Sequence, residues 1–100
     1  MCRRPDLPDR RVHRSLRALH CPTRWKIIRC IGEGERSTKE IFEELGLRKE
    51  ISLAGLYYHI SALKEAEIVE LAGYREEKAG APEKVWRLKT RRIVIDLLEE

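Results

Sequence analysis

Thirteen residues, Ser52 to Lys64, constrain this chain more than any other stretch. At the helical advance of about 100° per residue, Leu53, Leu56, Ile60 and Leu63 fall on one side, and Ala54, Tyr57, Tyr58 and Ser61 on the other. The first set reads as a core stripe. The second is small, flat and polar at its edges, with almost no charge, a surface suited to entering a groove.

The segments before it read as helices joined by short breaks. Residues 1–8 carry two prolines and two arginines without periodicity and read as a flexible basic arm. Asp9 can cap a helix to about His20, with Val12, Leu16 and Leu19 as its stripe. Arg10, Arg11, Arg14 and Arg17 lie opposite, either as solvated surface or as a strip for phosphates. Pro22 ends that helix and suits the first turn of the next, which runs to about Ile31 with Trp25, Ile27, Ile28 and Ile31 as core candidates. Gly32 and Gly34 end it. Ser37-Thr-Lys-Glu40 is a capping box opening a helix to about Leu45, with Ile41, Phe42 and Leu45 inward and Gly46 as C-cap. Ser52 then caps the stretch above. Two short helices joined by a tight turn with glycine form a helix-turn-helix pattern.

After about Glu67 the period becomes that of strands. Ile68, Val69 and Leu71 open one strand reaching roughly Arg75, and Val85 to Leu88 form another, with Val85/Arg87 and Trp86/Leu88 on alternate faces. Glu76 to Pro82 is the tip between them, so the hairpin is a wing. Thr90 can cap a last helix, Arg91 to Glu99, in which Ile93, Val94, Ile95, Leu97 and Leu98 span an arc of roughly 200°, wider than one core requires. Such a helix should bury two sides, the second against another copy of the chain. The alternative is that it folds back between the first two helices. The expected fold is therefore mainly α with a small β-hairpin wing, a winged helix-turn-helix over residues 9–89, followed by a dimerisation helix over 90–100.

Charge agrees with an anionic partner. The chain is +4 overall, but residues 1–36 hold 10 Lys/Arg against 4 Asp/Glu, whereas residues 37–67 hold 4 against 6. A merely solvated arginine arm explains the same bias. No apolar run approaches the roughly 18 residues of a membrane span, and the start lacks the apolar core of a secretory signal. Cys2, Cys21 and Cys30 are odd in number and scattered, which points to a reducing, cytoplasmic setting.

Three blocks resemble a known family. Residues Leu16 to Ile31, with Pro22-Thr-Arg and an aliphatic run, resemble the opening of ArsR-like winged helix-turn-helix repressors. Ile51 to Val69 resembles the family's recognition helix and its Leu-Lys-Glu-Ala exit, and Ala81 to Leu88 looks like the returning wing strand of archaeal members. The resemblance covers about residues 12–89. It implies a dimeric transcription regulator that places one such helix per subunit in successive major grooves. The family often has glycine where Glu67 stands, in a left-handed conformation that would cost a glutamate about 1 kcal/mol. Metal-sensing members carry a Cys-x-Cys pair or a His/Asp set on the last helix, and neither is present here.

The expected activity is sequence-dependent binding of double-stranded DNA by a homodimeric regulator, a repressor by family resemblance. The alternative is a winged-helix protein–protein interaction module, which the near-neutral helix keeps open. Expected DNA contacts are Ser52, Leu53, Ala54, Tyr57, Tyr58, Ser61 and Lys64, with Arg75, Lys78 and Lys84 at the wing; Lys39, Lys49 and the N-terminal arginines are further phosphate candidates. No Arg, Asn or Gln lies on the helix face before Lys64, so the strong bidentate base contacts are absent and specificity should rest on thymine methyls and DNA shape. One of the two tyrosines is expected to pack on a neighbouring helix instead. The expected dimer interface is Val12, Leu16, Leu19, Ile93, Val94, Leu97 and Leu98. His59, at the edge of the core stripe, reads as a half-buried histidine bonded to backbone rather than a switch or ligand. Gaps of 18 and 8 residues between the cysteines do not match zinc spacing, and Cys30 reads as a small buried hydrophobe. No metal, no cofactor and no catalytic residue is expected, and no effector can be named.

Overall fold

The computed structural model describes residues 15–46, 49–76, 80–94 and 97–98. Residues 15–18 are helical and end in a turn at 19–20. Helix α1 spans Pro22–Ile31, with proline in its first turn, where a missing N–H costs nothing. It stops at Gly32, whose φ of 55° only glycine adopts readily and whose N–H bonds the Ile28 carbonyl. Strand β1, Glu35–Ser37, follows.

Ser37 then changes role within one residue, from strand end to helix cap. Its hydroxyl accepts from the Glu40 N–H at 3.1 Å, and the Glu40 carboxylate accepts from the Ser37 N–H at 2.8 Å. This reciprocal box opens α2, Thr38–Glu44. Gly46, at φ 59°, turns the chain. Helix α3, Leu53–Glu65, starts where the Ser52 hydroxyl accepts from the Gly55 N–H at 3.0 Å. It ends in a Schellman arrangement: Ile68 N–H bonds the Leu63 carbonyl and Glu67 N–H the Lys64 carbonyl, each at 2.9 Å. Glu67 takes φ 62°, so the left-handed exit is kept without glycine. Its carboxylate meets Lys89 Nζ at 3.0 Å, and its carbonyl accepts from the Thr90 hydroxyl at 2.7 Å.

Strands β2, Val69–Arg75, and β3, Glu83–Leu88, form the wing. The sheet has three strands in the order β1-β3-β2, all antiparallel, rather than the two of a simple hairpin. A bulge at Ala72 falls between the Leu71↔Trp86 and Gly73↔Val85 pairs. In the central strand Val85 and Trp86 are both buried, so both faces of β3 are covered at this point. Trp86 anchors the sheet to the helices: its Nε1 donates to Thr38 Oγ1 at 2.9 Å in the interior.

The core joins Ile27 and Ile31 of α1, Ile41 of α2, and Leu56, Ile60 and Leu63 of α3 to Ile68, Val69 and Trp86. Full burial of each such aliphatic side chain contributes about 1.5–3 kcal/mol. Three expected core positions lie elsewhere. Leu53, in the first turn of α3, is exposed. Trp25 is also exposed; its Nε1 donates to the Leu19 carbonyl at 2.8 Å, which holds the ring on the surface. Leu16 is exposed, while Ser15 and Ala18 turn inward beside a half-buried Leu19.

Among the described residues after Leu88 none is helical. Thr90 is engaged with Glu67 instead of capping. Val94, Leu97 and Leu98 are exposed, Leu97 at 88% and Leu98 at 85%, so these three side chains do not pack on the core, while Ile93 is half-buried. A helix of about two turns cannot stand without a surface to pack on. Val12 and Lys78 lie outside the described residues, as do the expected start of the first helix at Asp9 and residues Ile95 and Glu99 of the last.

Candidate nucleic-acid interface

Burial of Leu56, Ile60 and Leu63 fixes the rotation of α3 about its axis, and so decides what it presents outward. Ala54, Tyr57, Tyr58, Ser61 and Lys64 are all exposed, with Leu53 and the capping Ser52 at the N-terminal end. The structure thus brings the expected α3 residues onto one open surface. Neither tyrosine is taken into the core: Tyr57 is 39% exposed and Tyr58 67%. The contact that Tyr58 makes with the neighbouring helix α1 lies at the surface. The Arg24 guanidinium lies 5.8 Å from the centre of the Tyr58 ring, within cation–π range.

Arg24 also corrects the reading of His59. Its Nε donates to His59 Nδ1 at 3.0 Å, so the half-buried histidine bonds a side chain of α1 and not backbone. Burial, and then the positive charge of Arg24, hold the His59 imidazolium below its ordinary value.

At the wing the expected cations separate. Arg75 forms an ion pair with Glu40 at 2.8 Å, which ties it to the N-terminus of α2 instead of leaving it open to a phosphate. The Ser37 N–H first, and Arg75 after it, hold the Glu40 carboxyl below the usual carboxylate value. Lys84 and Lys64 are exposed and have no ion-pair partner among the described residues. Lys49 is exposed as well, whereas the Lys39 N–H donates to the Glu83 carboxylate at 2.8 Å. Sequence reasoning missed Tyr74. It is exposed and sits opposite Lys84 in the β2–β3 register, an aromatic and a cation side by side. The strand periodicity around Arg75 carried that signal. Arg24 was missed because its partner lies 35 positions away, beyond any local pattern.

The cysteines do not assemble a site among the described residues. Cys30 is half-buried rather than buried, and its thiol donates to Glu44 Oε2 at 3.0 Å. Burial, then the Glu44 carboxylate, push that thiol up to about 12, so it stays protonated at neutral pH. At Cys21 burial works the other way from the backbone N–H groups of Arg24 and Thr23, which bring the thiol below its ordinary value. No group of three or more His, Cys, Asp or Glu able to hold a metal ion occurs among the described residues. Within them, too, no helix is long and apolar enough to cross a membrane.

Comparison with known proteins gives the same architecture. The family described as "Helix-turn-helix domain" matches residues 18–72, more than half of the chain. No curated protein matches. A possible transcriptional regulatory protein (fragment 1–100) from Mycobacterium bovis superposes with a TM-score of 0.63 at 25% identity, covering 80% of this chain and 75% of its own. The solution structure of the homodimeric winged helix-turn-helix DNA-binding domain of Mb0332 from Mycobacterium bovis, a possible ArsR-family regulator, superposes with a TM-score of 0.61 at 25% identity over 80% of this chain and 65% of that one. Reduced HlyU from Vibrio cholerae, at 22% identity and a TM-score of 0.61, shares the fold over 80% of this chain and 74% of its own. These solved neighbours include a possible transcriptional regulatory protein and a domain described as DNA-binding. The chain belongs to the helix-turn-helix domain family and shares the winged fold of these solved regulator domains.

Proposed function

We propose that this chain acts as a homodimeric transcriptional repressor that binds duplex DNA in a sequence-dependent way, with α3 of each protomer in a major groove. The observation that carries this reading is the two-sidedness of α3: Leu56, Ile60 and Leu63 fully buried, and Ala54, Tyr57, Tyr58 and Ser61 exposed in a row. Ser52, Leu53 and Lys64 flank that row at its two ends. The hydroxyls and apolar surfaces meet base edges, thymine methyls and sugar, while Lys64 and Lys84 meet phosphates. Lys78 joins them from the wing tip, and Arg75 does so only by giving up Glu40. In this reading residues 1–8 are a basic arm, 9–89 the reading domain and 90–100 the dimerisation segment.

Self-association is supported by the apolar residues left open in one copy: Leu16, Val94, Leu97 and Leu98. Val12, Leu19 and Ile93 complete the proposed interface. The Mb0332 domain, of the same fold, is homodimeric. The segment after Thr90 becomes helical when a second copy covers it.

The test is binding to random-sequence duplex DNA at low and moderate salt, for the intact chain and for Tyr57→Ala/Tyr58→Ala. Binding at low salt that weakens with salt, by a logarithmic slope of about 0.9 per phosphate contact, is the expected result. No binding at low salt would favour a protein–protein interaction module, the reading suggested by the uncharged face of α3. Binding kept by the double variant but lost on removing residues 1–17 would assign the grip to the arm.

A further inference from the structure

Arg24 links three parts of the molecule. It stands in the first turn of α1, and its Nη1 donates to the Ala18 carbonyl at 3.2 Å, at the end of the helical residues 15–18. Its Nε donates to His59 Nδ1 on α3. A planar guanidinium held at two of its nitrogens has little freedom left, and the ring it faces is that of Tyr58, the more exposed of the two α3 tyrosines. The His59 ring meets the same tyrosine edge-on, with centroids 5.7 Å apart and planes at 62°. Tyr58 is thus braced by two neighbours although most of its surface is open. On a face with so few hydrogen-bonding groups, the pose of one tyrosine weighs heavily on which bases are accepted.

Resting on the DNA reading above, we propose that Arg24 is a positioning residue for the reading helix: bonded to His59, it holds Tyr58 in the orientation that meets DNA. The bond sets the imidazole tautomer, with the lone pair on Nδ1 and the proton on Nε2. A second proton on His59 removes that lone pair and sets two cations side by side, which releases Arg24 and the brace on Tyr58. Among the described residues, Arg24 of α1 is the charged group that acts on His59; from α3 itself its neighbour is the uncharged Tyr58, and the Ala18 carbonyl lies beyond Arg24. Burial and Arg24 favour neutral His59, so the brace is intact at neutral pH and opens as pH falls through the lowered His59 pKa.

The experiment uses the full chain, a duplex enriched from a random pool by that chain at pH 7.5, and a scrambled duplex of the same composition. Imidazole nitrogen NMR of the free protein should show neutral His59 with its proton on Nε2, and Arg24→Gln should raise the His59 pKa toward 6.5. Discrimination between the duplexes should fall about threefold in Arg24→Gln and in Arg24→Lys, the scale of one exposed cation–π contact. It should fall no further when either is added to Tyr58→Ala. His59→Gln keeps an acceptor for Arg24 but removes the titrating group and the edge-on ring contact, so the discrimination it still shows should no longer change with acid. The inference is overturned by the opposite tautomer, by unchanged discrimination, or by Arg24 variants that weaken both duplexes alike with a salt slope smaller by about 0.9, the mark of a direct phosphate contact. If no duplex is enriched while NMR shows the Arg24–His59 bond, the DNA reading has failed and the positioning role falls with it. A discriminated duplex without that bond places the failure in this inference alone.

Discussion

Helix α3 and the segment after Thr90 are both apolar enough to be helices, yet among the described residues only α3 is helical. The difference lies in what covers them. Leu56, Ile60 and Leu63 meet α1, α2 and the sheet, and are fully buried. Val94, Leu97 and Leu98 meet nothing comparable and remain open. Apolar content states a demand for burial, and the rest of the molecule decides whether that demand is met within one chain.

The largest test of this contrast is in α3. Leu56→Ala should lower unfolding stability by about 2–5 kcal/mol in a denaturant titration, because a fully buried side chain leaves a cavity. A loss below 1 kcal/mol would mean the α3 stripe is not the core. Leu97→Glu should instead leave the protomer's fold intact and weaken dimer formation at least tenfold, about 1.4 kcal/mol, in sedimentation equilibrium. An unmutated chain that stays monomeric at high concentration would break the comparison from the other side.

The exit of α3 gives a smaller effect. Glu67 holds a left-handed conformation that glycine adopts freely, so Glu67→Gly should raise stability by about 0.5–1 kcal/mol, after the loss of the Lys89 contact. A destabilised variant would show that the Lys89 contact outweighs the backbone strain. The smallest effect comes from His59. Its folded pKa is lowered, so its contribution to stability is complete above about 6.5, the unfolded value, and is lost as pH falls through the lower folded one. His59→Gln should flatten that part of the pH–stability profile.

These contrasts also explain what was legible in the sequence. The periodicity of Leu56, Ile60 and Leu63, the Ser37–Glu40 box and the Ser52 cap are local signals, and each appears in the structure where the spacing predicts it. Strand β1 is three polar residues, Glu-Arg-Ser, that are a strand only because β3 pairs with them, so no local pattern announces it. The open α3 face followed from the stripe opposite it. The Arg24–His59 and Arg75–Glu40 contacts depend on how distant elements meet, and neither partner's surroundings in sequence reveal them. The second copy proposed to cover the last segment lies outside the single chain altogether.

The central claim is that the outer face of α3 reads DNA. It is tested most directly by the affinity ratio between an enriched duplex and its scrambled counterpart, measured by fluorescence anisotropy for the intact chain and for Tyr57→Ala/Tyr58→Ala across a salt series. The intact chain should prefer the enriched duplex, and the double variant should lose at least about tenfold of that preference, the scale of one good base contact, while retaining the same salt slope. A double variant that discriminates as well as the intact chain would contradict the claim.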